Sequence, residues 1–256
     1  MTEPQAQPLP AERVRRRGLL REAGVYLVTE ESLSAGRRSE EIVEAALAAG
    51  VRVVQVREKE GSARRALEIA RAARDLTRKF DALLIVNDRI DIALASDADG
   101  VHLGQTDLPL AEARRLLGDA ALIGLSITDA GQLGAPDAMA ADCLGVGAVF
   151  ATASKLDAAL TGLQLLAGVR DSRASSGVPV VAIGGINAGN AGAAIEAGAD
   201  LVAVITAISA AADPGRAAAE LLAVVRASQS TSAERATNAE QAARPGQAAR
   251  PGQAPR

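Results

Sequence analysis

Short runs of Val, Ile and Leu recur through the middle of this chain, each four to six residues long and free of polar alternation. They fall at Val25–Val28, Val51–Val56, Leu83–Val86, Gly100–Leu103, Leu122–Leu125, Cys143–Val146, Val178–Ile183 and Leu201–Ile205. An uninterrupted apolar run of that length reads as a strand buried on both faces of a parallel sheet. Amphipathic stretches alternate with them and predict helices, among them Glu40–Ala49, Ala63–Phe80, Leu110–Leu117, Ala188–Ala197 and Pro214–Arg226. Asn187 and Asp213 are suitable N-caps for the last two, and Pro214 suits a first helical position. Gly50 and Gly198 follow helices where a left-handed cap is needed. Eight strands with helices between them fit either an open doubly wound sheet or a closed barrel. Closure leaves no exposed edge, and the length suits it, so the expected fold is α/β, a single (β/α)8 TIM barrel over residues 23–227.

The ends depart from this pattern. Residues 1–22 are expected to form a partly helical arm. Its run Arg13, Arg15, Arg16 and Arg17 could bind an anion, but reads as the solvated face of a short leading helix. Beyond Ala227 apolar periodicity fades, and the unit Ala-Ala-Arg-Pro-Gly-Gln occurs at 242–247 and again at 248–253. Residues 228–256 are therefore expected to be a disordered low-complexity tail.

Composition narrows the function classes. Among 256 residues the aromatics are Tyr26, Phe80 and Phe150, and the net charge is −3. No basic field and no stacking platform points to nucleic acid. A single cysteine, Cys143, excludes a disulfide framework or a Cys-based zinc site within the chain and reads as inert core. No apolar run is long enough for a membrane span or a signal-peptide core, so the expected compartment is cytoplasmic and no membrane partner is expected. Outer helices of such barrels are common self-association surfaces, which makes a homo-oligomer an open expectation.

The working groups of a parallel barrel lie at the carboxyl ends of its strands. After the second strand comes Gln55-Val56-Arg57-Glu58-Lys59, and alternation places Gln55, Arg57 and Lys59 on one side as a clamp for a diphosphate, or as ordinary solvated charges. After the third and fourth strands come Asn87-Asp88 and Gly104-Gln105-Thr106-Asp107. Two carboxylates from neighbouring strand ends can share one Mg2+ with substrate phosphate oxygens. Each could instead cap the helix that follows it. His102 is the only histidine, and in a strand it reads as a core or supporting residue before a base. The sixth strand leads into Ala151-Thr152-Ala153-Ser154-Lys155, whose hydroxyls and ammonium suit phosphate. The seventh ends in Gly184-Gly185 and the eighth in Ile205-Thr206, where barrels of this type often cradle a phosphate on backbone N–H groups. Two anion sites facing each other across one mouth imply two phosphorylated substrates.

Over residues 24–215 the chain resembles thiamine-phosphate synthase. The resemblance is carried by Tyr26-Leu27-Val28-Thr29, Gln55 to Lys59, Val86-Asn87-Asp88, Gly100 to Asp107, Gly124-Leu125-Ser126, Thr152 to Lys155, Gly184-Gly185-Ile186 and Val204 to Ile208. It implies an Mg-dependent transferase joining a hydroxymethylpyrimidine diphosphate to thiazole phosphate with release of pyrophosphate. It implies that Gln55, Arg57, Lys59, Asn87, Ser126 and Lys155 contact the pyrimidine diphosphate, with Arg57, Lys59, Ser126 and Lys155 catalytic. Asp88 and Asp107 would hold magnesium, and Thr152, Ser154, Gly185, Ile205 and Thr206 the thiazole phosphate. It implies departure of pyrophosphate before the thiazole nitrogen attacks, which calls for no protein nucleophile. Four positions depart from the family pattern: Ala151 replaces a proline, Ser154 a threonine, Thr206 a serine, and Thr128 a histidine. Other barrels considered are a thiazole tautomerase, whose histidine position is Thr128 here, and a non-catalytic phosphate-ligand binder.

Overall fold

A computed structural model describes residues 9–152, 162–173 and 177–243. Eight parallel strands close into a barrel in sequence order, with β8 pairing back onto β1. They are β1 (Val25–Thr29), β2 (Val53–Val56), β3 (Leu83–Asn87), β4 (Gly100–Leu103), β5 (Leu122–Ile127), β6 (Cys143–Val146), β7 (Val180–Ile183) and β8 (Leu201–Val204). The helices are α1 (Ala11–Glu22), α2 (Ser39–Ala48), α3 (Ala63–Lys79), α4 (Ile90–Ala95), α5 (Leu110–Leu117), α6 (Pro136–Ala140), α7 (Gly162–Arg173), α8 (Ala191–Glu196), α9 (Thr206–Ser209) and α10 (Pro214–Ala243). The TIM barrel expected from the apolar runs is the fold observed. Among the described residues no helix is long and apolar enough to cross a membrane.

Strand alternation divides the core in two. Val25, Leu27, Val54, Leu84, Val101, Ile123, Leu144 and Val202 face outward and pack under the helices. Tyr26, Val28, Val53, Leu83, Ile85, Leu122, Cys143, Val181, Leu201 and Ala203 face inward and fill the barrel. Both sets are apolar, which is why the strands carry no polar alternation.

The local signals act largely as expected. The Asp213 carboxylate accepts the Arg216 N–H at 3.0 Å at the start of α10, with Pro214 in the first turn. Gly50 and Gly198 close α2 and α8 at φ of 110° and 114°, a region that a side chain would make costly. Asn187 does not cap α8, which begins at Ala191. Its side chain instead accepts the Gly189 N–H at 2.8 Å in a turn, while Asn190 accepts the Asn187 N–H at 2.8 Å.

Two readings of the ends are corrected. The arginines of α1 are not a solvated face. Arg13 and Arg17 lie 2.7 and 3.8 Å from Asp142, and Arg16 lies 3.1 Å from Asp99. Both aspartates are buried, at 0% and 3% exposure, so α1 lies across the N-terminal end of the barrel. Of the four arginines in this run only Arg15 points outward, toward Glu12 and Asp81. At the other terminus α10 continues to Ala243, where a tail was expected from residue 228. Alanine-rich sequence favours the helix, and two contacts hold it: Gln229 donates to the Asp200 carbonyl at 2.6 Å, and Arg235 lies 3.6 Å from Glu196. The Pro-Gly-Gln units lie outside the described residues.

The N-terminal end carries a repeated device. Asp99, Asp142 and Asp200 immediately precede β4, β6 and β8. Each accepts an N–H from the strand before it: Leu84 at 2.8 Å, Ile123 at 2.9 Å and Val180 at 2.7 Å. Polar groups at this end hold strands together, leaving the opposite end for chemistry.

Candidate active site

The C-terminal ends of the strands open into a cavity of about 510 Å³. Gln55, Arg57, Lys59, Asn87, Ser126, Thr152, Gly185, Ile205 and Thr206 all line it, as do Tyr26, His102 and Thr128. The mouth thus gathers residues separated by more than a hundred positions in the chain. Ser154 and Lys155, which belong to the same expected set, lie outside the described residues.

On the β2 side, Gln55, Arg57 and Lys59 share one face. Gln55 is buried, and its Nε2 donates to the Tyr26 hydroxyl at 2.9 Å. Burial removes water from that phenol and raises its pKa far above the usual range. Arg57 forms an ion pair with Glu30. Burial lowers the proton affinity of the Arg57 guanidinium, while the negative charges of Asp88 and Glu58 oppose that change. Lys59 is more open, with its Nζ 3.4 Å from Asp88.

Asp88 and Asp107 come together from the ends of β3 and β4. Burial raises the pKa of Asp88, the nearby Asp107 carboxyl raises it further, and Lys59 pulls the other way. Neither carboxylate caps a helix: α4 and α5 have Arg89 and Pro109 at their N-caps without a side-chain bond. Asp107 instead accepts the Gly104 N–H at 2.6 Å, which folds its loop back on itself. The Leu110 N–H at the start of α5 is met by Asp137 at 3.0 Å. Asp88 sits at φ of 59°, a left-handed conformation that aspartate tolerates better than most residues. Among the described residues no three His, Cys, Asp or Glu side chains converge as a metal cage. A pair of mutually repelling carboxylates is nevertheless a donor set that fits a hard cation completed by substrate oxygens.

His102 does not act alone at the mouth. Its Nε2 lies 3.0 Å from the Ser126 hydroxyl, and its ring occupies room left by two glycines. A methyl on Gly124 would stand 2.5 Å from His102 Nδ1, and one on Gly145 would stand 2.8 Å from Cε1. Those glycines on β5 and β6 therefore make space for the imidazole, and the imidazole holds Ser126. Gln105 adds a bond to the Ser126 carbonyl at 2.6 Å. Thr128 is engaged in its own loop, where Gln132 accepts its N–H at 2.8 Å.

Across the cavity, Gly184 and Gly185 turn the chain at φ of 99° and 66°. A methyl on Gly185 would fall 2.4 Å from the Ala151 carbonyl oxygen. The β6–α7 loop is held against this turn by backbone bonds from Val149 to Ile183 at 2.9 Å and from Phe150 to Gly184 at 3.0 Å. Next to it, Ile205, Thr206 and Ala207 open into the cavity where β8 gives way to α9. Such a cup offers backbone N–H groups and a threonine hydroxyl to a phosphate.

Glu30 and Tyr26 were missing from the expected set. Tyr26, Val28 and Glu30 stand two apart, so extending the inward alternation of β1 by one step reaches Glu30. Its neighbour Glu31 points the other way and pairs with Arg65 of α3 at 2.6 Å.

Comparison with known proteins agrees with this layout. Residues 25–208 match the family model described as thiamine monophosphate synthase. The chain is 50% identical over 205 residues to a thiamine-phosphate synthase of Haloarcula marismortui, covering 78% of this chain and 96% of that one. It is 48% identical over 206 residues to that of Chloroflexus aurantiacus, covering 80% and 94%. Among solved structures, a thiamine phosphate pyrophosphorylase from Pyrococcus furiosus superimposes with a TM-score of 0.73 at 37% identity, covering 84% and 98%.

Proposed function

The chain belongs to the thiamine monophosphate synthase family, and from that premise we propose that it condenses 4-amino-2-methyl-5-(diphosphooxymethyl)pyrimidine with thiazole phosphate, giving thiamine phosphate and pyrophosphate. The observation that carries this reading is one cavity with two unlike anion-binding ends. A charged end on β2–β4 suits a diphosphate, and a glycine-lined end on β7–β8 suits a monophosphate. The cytoplasm is the compartment proposed with it, on the strength of the lone cysteine and the composition.

In this reading Arg57 and Lys59 face the diphosphate, with Asn87 and Ser126 supplying neutral hydrogen bonds beside them. Gln55 lies deepest, at the pyrimidine ring, and Lys155 completes the set. Gly185, Thr206, Thr152, Ser154 and Ile205 receive the thiazole phosphate. The charges at the diphosphate end argue for a cation. Two positive side chains, Arg57 and Lys59, stand beside three carboxylates, Glu30, Asp88 and Asp107. Even with Lys155 counted, the side chains offer an incoming diphosphate no net positive charge. Asp88 and Asp107 would hold Mg2+, which would supply the missing positive charge and neutralise charge developing on the leaving pyrophosphate.

The residues supply the rest. Arg57 and Lys59 stabilise the departing oxygens, which is electrostatic catalysis by groups already in place. The glycine cup holds the thiazole so that its nitrogen faces the pyrimidine methylene carbon as the carbon–oxygen bond to pyrophosphate breaks. The carbon–nitrogen bond forms there, and pyrophosphate takes the electron pair.

The test is pyrophosphate release by the full chain given both substrates, with magnesium and then with EDTA. Release that requires both substrates and magnesium, with thiamine phosphate found by mass spectrometry, is the expected result. Release from the pyrimidine substrate alone at the same rate would overturn the coupling reaction.

A further inference from the structure

Glu30 is a nearly buried carboxylate, 6% exposed, that the chemistry above leaves without a task. It stands one residue beyond β1, in extended backbone at φ of −158°. It does not line the cavity, yet its partner Arg57 does. The side chains of the pair are 7% and 16% exposed, so the carboxylate meets Arg57 Nη1 behind the cavity wall that Arg57 itself helps to form. The backbones are locked in register at the same level. The Arg57 N–H donates to the Thr29 carbonyl at 3.2 Å, and the Thr29 hydroxyl donates to the Gln55 carbonyl at 3.3 Å.

A guanidinium has five N–H donors in a rigid fork, so fixing one edge fixes where the other points. We infer that Glu30 is a positioning residue for the diphosphate: it holds one edge of Arg57 and thereby aims the other into the cavity. The inference rests on the assignment of the β2–β4 end as the diphosphate site. Lys59 lacks such a backing, since its carboxylate neighbour Asp88 lies among the groups proposed for magnesium. Arg57 is therefore the fixed cation of the pair and Lys59 the adjustable one.

Two physical effects make opposite predictions, which makes the inference decidable. If Glu30 only repels anions, Glu30→Gln removes a negative charge and tightens diphosphate binding. If it aims Arg57, the same change leaves the guanidinium to the pull of Asp88 and Glu58 alone, and it swings off its line into the cavity. Binding then weakens although the site has become more positive.

The experiment measures inorganic pyrophosphate binding by calorimetry in the presence of magnesium, for wild type, Glu30→Gln, Glu30→Asp, Arg57→Lys and the Glu30→Gln/Arg57→Lys double variant. Substrate KM values are measured alongside. The expected result is pyrophosphate affinity about tenfold weaker in Glu30→Gln, close to 1.4 kcal/mol, with KM raised for the pyrimidine diphosphate and unchanged for thiazole phosphate. Glu30→Asp should recover part of the loss. In the Arg57→Lys background Glu30→Gln should add little, because a residue acting through another is not additive with it. Affinity that is unchanged or tighter in Glu30→Gln would overturn the inference, as would an equal loss in the Arg57→Lys background or a parallel rise in both KM values. Should wild type bind pyrophosphate but release none from the two substrates, the synthase reading falls while the binding data still decide the role of Glu30.

Discussion

Gly124→Ala tests how the barrel interior serves its mouth. The added methyl would stand 2.5 Å from His102 Nδ1 and 2.9 Å from Cys143 Sγ. Ordinary carbon contacts begin near ~3.5 Å, so the imidazole must retreat by about 1 Å. Ser126 lies on the same strand two residues on, and retreat from β5 takes the ring away from both. The His102–Ser126 distance, now 3.0 Å, would open to about 4 Å, beyond hydrogen-bonding range. Overpacking of this kind costs roughly 1–3 kcal/mol of stability. Loss of one hydrogen bond that orients a substrate-facing hydroxyl is worth about 1 kcal/mol, or several-fold in kcat/KM. The assay is continuous pyrophosphate release with both substrates, run beside thermal melting to fix the folded fraction. Gly124→Ala should be about fivefold to tenfold slower per folded molecule, and no slower than Ser126→Ala when the two are combined. A variant that melts earlier but keeps its full specific activity would refute the claim that His102 acts through Ser126. An additive double variant would refute it as well.

Three further outcomes follow from the geometry. Asp88→Ala or Lys59→Ala should abolish turnover with circular dichroism and melting close to wild type, because Lys59 lines the mouth and Asp88 lies 3.4 Å from it, both partly open to water; near-normal rates would remove the diphosphate–metal assignment. Asp142→Asn should lower stability by about 3 kcal/mol in urea titration, since it leaves Arg13 and Arg114 facing a neutral group at a fully buried position, while specific activity of the folded fraction is kept. Burial pushes the Cys143 thiol up to about 12, so at pH 8 it stays protonated and iodoacetamide should label it only after denaturation. The sign is fixed by the cause: a desolvated thiol resists losing its proton, and rapid labelling of the native protein would show an open barrel interior.

The barrel was legible because its strands are apolar on both faces and its helices begin and end on recognisable residues. Most of the mouth was legible for a related reason. Polar residues cluster at the carboxyl ends of otherwise apolar strands, and alternation placed Gln55, Arg57 and Lys59 on one face. What escaped was partnership over distance. Arg13 and Arg16 look solvated in sequence because Asp142 and Asp99 lie more than eighty residues away. Glu30 was passed over because it belongs to an acidic pair, Glu30-Glu31, just beyond a strand, and nothing local separates the two until Arg57 is seen beside one and Arg65 beside the other. The continuation of α10 escaped for a different cause: its second half lacks apolar periodicity and is carried by alanine propensity and by polar contacts such as Gln229 with Asp200.

The aspartates before β4, β6 and β8 divide the barrel into strand pairs whose bindings are unequal. Asp99 and Asp142 are buried among arginines, whereas Asp200 is the most exposed of the three and feels the charge of Arg21 without a close ion pair among the described residues. Water can therefore compete for the Val180 N–H more readily than for those of Leu84 or Ile123. In amide hydrogen exchange the β7–β8 pair is therefore expected to exchange before the β3–β4 and β5–β6 pairs. That pair also carries the glycine cup at its far end. The half of the mouth proposed for the incoming monophosphate thus rides on the pair whose aspartate is most open to water, and the half proposed for the diphosphate rides on strands braced by Asp99 among its arginines.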